Sequence, residues 1–105
     1  MEKPNRTYLE ELSDGDAAFE KQIITILKKE FPVEVLEYQN NIKSNNFLKT
    51  ADNVHKLKHK ISIFGLEKGY ELAMDYEKEL KNGMKTLQSS FEKTLNKISS
   101  YLNTI

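Results

Sequence analysis

The sequence predicts an all-α protein: an antiparallel up-and-down four-helix bundle with a short N-terminal helix laid on it. Two observations predict this. Apolar residues recur at three- and four-residue intervals through most of the chain, the spacing that gathers them on one face of a helix. The apolar runs are also separated by short connections marked by Asn, Gly and Pro, and short connections between amphipathic helices favour antiparallel neighbours.

Each element has its own signal. Tyr8, Leu9 and Leu12 form a short apolar patch, and Ser13 with Asp16 three residues on resembles a capping box, so a long helix is expected to begin there. Its buried face is read as Phe19, Ile23, Ile26, Leu27 and Phe31, continued by Val35, Leu36 and Ile42. Pro32 removes a backbone donor and crowds the preceding turn, which predicts a kink in one long helix in preference to two shorter ones. The polar run Asn40 to Asn46 reads as a turn, with Ser44 or Asn45 able to cap the next helix. That third helix is expected from Phe47 to Phe64. A fourth is expected from about Glu67 to Lys81, with Leu66, Tyr70, Ala73 and Leu80 as its buried face and Gly65 and Gly69 flanking the preceding turn. Tyr70, Met74 and Tyr76 read as core or its rim. Asn82 and Gly83 stop that helix, and Leu87, Phe91, Leu95, Ile98, Leu102 and Ile105 keep the helical interval to the end.

Composition bounds the function. A chain of 105 residues suits one compact core, so a single domain over 1–105 is expected. With 16 basic and 16 acidic side chains the formal charge is zero, which gives no overall attraction to nucleic acid or an anionic membrane. There is no cysteine, which removes disulfides, thiolate catalysis and thiolate metal ligands. The first residues, MEKPNRTYLEEL, lack the apolar run of a signal peptide, and no segment approaches the ~18 apolar residues of a membrane span. A cytoplasmic location is expected.

The stretch VHKLKHKISIFG, Val54 to Gly65, holds both histidines and three lysines. At about 100° per residue, Phe47, Thr50, Ala51, Val54, Leu57, Ile61 and Phe64 fall in one arc, the expected core face. His55 lands just past its edge, with Leu48, Ala51, His59 and Ser62 around it and Lys58 one turn on toward the core margin. A histidine on a helix flank is often only a surface residue. A neutral imidazole with a cation one turn later, however, has what a phosphoryl acceptor requires: a nitrogen nucleophile near neutral pH and a charge to neutralise the incoming oxygens. The chain has no Walker-type glycine loop, so the phosphoryl group is not expected to come from ATP bound here. The chain reads as a carrier.

These residues resemble the histidine-containing phosphotransfer (HPt) domains of bacterial multistep phosphorelays. His55, Lys58, Gly65 and Leu66 match that family's signature in register, as do Ala51 ahead of the histidine and Glu77 in the next helix. The segment YLEELSDGDAAF, Tyr8 to Phe19, is similar to the family's opening, and Phe31 with Pro32 matches its second helix, so the resemblance spans about residues 8 to 81. It implies that His55 is phosphorylated by the aspartyl phosphate of a receiver domain and passes the group to another response regulator, with a hybrid sensor kinase upstream. It implies no enzyme activity and no cofactor of the chain's own, since the receiver supplies the acidic pocket and the magnesium ion. Lys58 would hold the phosphate oxygens, Lys56 would add a weaker field, and His59 could donate to the phosphate. Leu48, Ala51 and Ser62 would form the docking surface, on a monomer.

The chain departs from the family where His59 stands in place of a glycine after the matching lysine, followed by Lys60 and the bulky Ile61. His59 is the weaker acceptor, because Ser62 and not a cation stands three residues beyond it. A metal shared by His55 and His59 with Asp52 or Asp75 is the rival chemistry at these positions. Lys56 stands where a metalloprotease helix needs glutamate, and the lysines around it would repel a dication. The alternative of another class is a non-catalytic helical scaffold that binds a partner protein through Leu48, Ala51 and the outer face of the fourth helix.

Overall fold

The computed structural model describes residues 2–105. It is all-helical, with no strand among the described residues: α1 (Thr7–Ser13), α2 (Ala17–Lys43), α3 (Phe47–Ile63), α4 (Glu67–Lys81) and α5 (Gln88–Leu102). No helix among these residues is long and apolar enough to cross a membrane.

Local chemistry sets each start and stop. Ser13 closes α1, and Asp16, three residues on, is the N-cap of α2, its carboxylate accepting from the Phe19 amide at 3.0 Å. The pair expected as a capping box is therefore split between two helices, with Asp14 and Gly15 in left-handed conformations between them. The expected turn at Asn40 is also corrected. Helix α2 runs on through Lys43, and Asn46, not Ser44 or Asn45, caps α3 by accepting from the Lys49 amide at 3.2 Å. Pro32 lies inside the unbroken α2, whose 27 residues extend about 40 Å at 1.5 Å per residue, nearly the 44 Å length of the molecule.

The buried side chains form one cluster. From α2 it takes Ile24, Leu27, Phe31, Tyr38 and Ile42, whereas Phe19, Ile26 and Leu36, expected inside, are 43%, 53% and 56% exposed. The α2 sequence carries apolar residues on two faces, and only packing decides between them. The other faces match expectation: Thr50, Ala51, Val54, Leu57, Ile61 and Phe64 of α3 are buried, as are Leu66, Ala73, Tyr76 and Leu80, and Phe91, Leu95, Ile98 and Leu102. Tyr70 and Phe47 are half-buried.

Helix α3 packs most extensively on α4 and next on α2. Gly65 turns the chain between α3 and α4 with φ +76°, a conformation that only glycine adopts without strain. Gly69 lets the helices approach closely, since a Cβ there would stand 2.9 Å from the Thr94 methyl and 3.1 Å from the Ile61 methyl. The α4 N-terminus has no side-chain cap of its own. Glu2 takes that role from the N-terminal segment, its carboxylate accepting from the Lys68 and Gly69 amides at 3.0 and 2.7 Å.

A polar chain crosses the core. The Tyr38 hydroxyl donates to Glu92 at 3.0 Å and lies 2.8 Å from the Tyr76 hydroxyl, which must then be the donor in that pair. Gln88 donates to the same Glu92 oxygen at 2.9 Å. Burial pushes the Tyr38 hydroxyl far above the usual phenol range and Tyr76 up to about 12, so both stay protonated as this chain requires.

Candidate functional site

Helix α3 carries the candidate histidine and α4 supplies its partner. Because α4 returns along α3 from the Gly65 turn, Gly69 meets Ile61 near the turn and Glu77 meets His55 two turns farther away. The Glu77 carboxylate sits 3.2 Å from His55 Nδ1 and 3.2 Å from Lys58 Nζ through the same oxygen, Oε1. Lys81, one turn along α4, reaches its other oxygen at 3.3 Å.

Exposure divides this cluster. The His55 side chain is 53% exposed, while Lys58 and Glu77 are 11% and 13% exposed. A carboxylate only accepts, so Nδ1 carries the proton and donates to it, which leaves Nε2 with its lone pair. Among the described residues Nε2 has no hydrogen-bond partner. Burial pushes the Glu77 carboxyl up, but hydrogen bonds from Lys58, His55 and Lys81 and the charge of Lys58 outweigh it and hold the group below the usual carboxylate range. It is therefore charged at neutral pH.

The remaining predicted residues divide into those the fold brings to His55 and those it does not. His59, one turn on, is exposed and meets the His55 ring edge-on, with centroids 5.1 Å apart and planes at 89°. Leu48 and Ser62 stand seven residues before and after His55, so the three share one stripe; Leu48 is 68% exposed and Ser62 is exposed as well. Ala51 does not belong to that surface. It is 1% exposed and faces the core, because its position lies toward the buried arc from His55 and its methyl is small enough to be enclosed. Lys56 is exposed and makes no ion pair among the described residues. Lys58 is sheltered rather than open, with its ammonium on the Nδ1 side of the ring and 5.8 Å from the Tyr70 ring centroid. Among the described residues no group of three or more His, Cys, Asp or Glu side chains is gathered to hold a metal ion.

No family model, curated protein or solved structure matches this chain.

Glu77 is the residue that the sequence alone left without a role. Its signal was present but indirect. Reflecting α3 through the turn at Gly65 brings position 55 opposite about position 75, where Asp75 and Glu77 both offer a carboxylate; packing selects Glu77 and leaves Asp75 exposed. The resulting arrangement is a half-exposed imidazole oriented by a sheltered carboxylate, with its outer nitrogen free. Such a ring can attack an electrophile brought by a partner. The carboxylate would then stabilise the positive ring that results.

Proposed function

We propose that this chain is a phosphorelay intermediate, in which His55 accepts a phosphoryl group from the aspartyl phosphate of a receiver domain and passes it to another response regulator. The observation that carries the reading is the His55 ring, half exposed, held through Nδ1 by Glu77 and unpartnered at Nε2. The Nε2 lone pair attacks phosphorus, the N–P bond forms, and the P–O bond to the aspartate breaks. The aspartate carboxylate leaves with the bonding pair. The Nδ1 proton stays on the ring, shared with Glu77, whose charge offsets that of the phosphorylated imidazolium.

In this reading the four longer helices form an antiparallel up-and-down bundle with α1 laid across it, and α3 presents the acceptor on the bundle's flank. The chain is no enzyme by itself and carries no cofactor of its own. The receiver brings its acidic pocket and magnesium ion, and docking positions the two reacting atoms. Lys58 turns from Glu77 to the phosphate when charge arrives. His59, in ring contact with His55, is a second donor within reach of it, and Lys56 adds only a diffuse field. The receiver docks on the stripe of Leu48 and Ser62. A hybrid sensor kinase stands upstream, in the cytoplasm.

The test is transfer from a phosphorylated receiver domain or a small acyl-phosphate donor. The wild-type chain and His59→Gln gain an acid-labile, base-stable phosphate, and His55→Gln does not. Label that persists in His55→Gln overturns the site. A wild-type chain that never gains label leaves a scaffold that binds without transferring.

A further inference from the structure

His55 and His59 stand four residues apart on the exposed flank of α3, so one helical turn sets the two rings side by side. Histidines at that interval on one helix face can grip a single transition-metal ion. The rings here are already spaced for it. Two imidazole nitrogens at about 2.0–2.1 Å from a tetrahedral zinc ion set the ring centroids about 5.2 Å apart, and the observed separation is 5.1 Å. With the planes at 89° and both side chains exposed, closure asks for ring rotation and no shift of α3.

The second observation lies behind the His55 ring. A metal-bound histidine ordinarily donates its other N–H to a carboxylate, which fixes the tautomer and makes the metal-facing nitrogen more basic. Glu77 gives His55 that arrangement, accepting from Nδ1 at 3.2 Å and leaving the Nε2 lone pair outward. The lysines, which the sequence alone sets against a dication, are largely engaged elsewhere. Lys58 and Lys81 are held by Glu77 on the Nδ1 side, and Lys60 by Glu30 and Glu34 of α2 on the other flank. Exposed Asp52, one turn before Lys56, offsets the remaining cation. Imidazole suits zinc and its neighbours in the transition series, whereas magnesium prefers oxygen ligands.

We propose that His55 and His59 chelate a transition dication of the zinc type between them, with water in its other positions, and that the bound ion switches phosphoryl acceptance off. The switch rests on the role proposed for His55. The same Nε2 lone pair cannot bond zinc and attack phosphorus, so the ion is an inhibitor and not a cofactor. His59, the departure from the phosphotransfer pattern, supplies the second ligand.

Zinc chloride titrated into the full chain tests binding without any phosphate. Proton–nitrogen NMR is expected to show both imidazoles shifting together at one ion per chain, with magnesium chloride moving neither. His59→Gln is expected to bind zinc about 100-fold more weakly, the loss of a linked second ligand, and Glu77→Gln about tenfold more weakly. Wild-type rings that do not shift together, or either variant binding as tightly as wild type, overturn the site. Inhibition is read as the rate of phosphoryl acceptance at a zinc concentration that saturates wild type, each protein against its own zinc-free rate. Wild type should lose most of its rate and His59→Gln little, a comparison that cancels any effect of zinc on the donor. Equal inhibition of the two proteins, or none in wild type, overturns the switch. A wild-type chain that binds zinc through both rings yet never accepts phosphate keeps the metal site and refutes the relay reading, and the switch with it.

Discussion

Glu77 receives three donors on one sheltered carboxylate, two of them lysines and the third the imidazole of His55. Its carboxyl is held below the usual range, so the stability it contributes is full above the unfolded carboxylate value and is lost as pH falls through the lower folded one. Glu77→Gln is expected to cost about 1–2 kcal/mol at neutral pH, the scale of a charge-assisted hydrogen bond at a partly shielded site. Urea titrations at stepped pH check this, with the gap between the two proteins closing as pH falls below the ordinary carboxylate range. The same substitution has a second readout. An amide can donate to Nδ1 as well as accept from it, so the tautomer that frees Nε2 is no longer enforced. Phosphoryl acceptance should slow by about tenfold, which corresponds to ~1.4 kcal/mol of lost orientation. A Glu77→Gln protein that accepts at the wild-type rate would remove the carboxylate from the account. At this scale the sequence offered His55 as a candidate acceptor but not the carboxylate that orients its ring: His55 and Lys58 lie one turn apart on a single helix, while Glu77 comes from another helix and had to be folded back onto them.

Among the elements, α4 is fixed by two contacts that side-chain substitution can probe separately. Gly69 sits where α4 crosses α5 and α3, and its missing Cβ leaves room for the Thr94 and Ile61 methyls. Gly69→Ala should destabilise by about 1–3 kcal/mol despite the better helix propensity of alanine, because the close approach is enclosed. Thr94→Ser in the same chain removes the nearer methyl and should recover part of the loss; equal thermal midpoints for Gly69→Ala with and without Thr94→Ser would refute the close-approach argument. The polar chain gives a second comparison. Tyr38→Phe strands the Tyr76 hydroxyl and takes a donor from Glu92, whereas Tyr76→Phe removes only the end of the chain. Denaturant unfolding should show the first costing about 2–3 kcal/mol and the second about 1. Helices α3, α4 and α5 were legible in the sequence because each has one apolar face and a Gly or Asn stop. The α2 face was not, because the inward row Ile24, Leu27, Phe31, Tyr38 and Ile42 competes with the outward row Phe19, Ile26, Val33 and Leu36. Both rows keep helical intervals, and the inward one includes a tyrosine whose hydroxyl is satisfied only by Tyr76 and by Glu92, 54 residues away.

For the whole molecule, the core and the proposed acceptor lie in different places. The core and its polar chain join α2, α4 and α5, and the N-terminal segment closes the α3–α4 turn through Glu2 and Asn5, the latter donating its amide to the Phe64 carbonyl at 2.9 Å. His55 stands outside all of this, on the flank of α3, where a partner can reach it without disturbing the core. Docking should therefore leave the fold unchanged and depend on the stripe of Leu48, His55 and Ser62. Leu48→Asp is expected to weaken receiver binding by about tenfold, ~1.4 kcal/mol for one buried apolar contact, while its unfolding midpoint stays within error of wild type. Receiver affinity equal to wild type would move the docking surface elsewhere. Phosphoryl transfer through His55 is tested most directly by a long-range proton–nitrogen NMR correlation of the imidazoles, recorded before and after incubation with a phosphorylated receiver. A proton is expected on Nδ1 of His55 in the free chain and a phosphoryl group on its Nε2 afterwards. A proton on Nε2 at the outset, or a phosphoryl group on His59 or on neither ring, would contradict it.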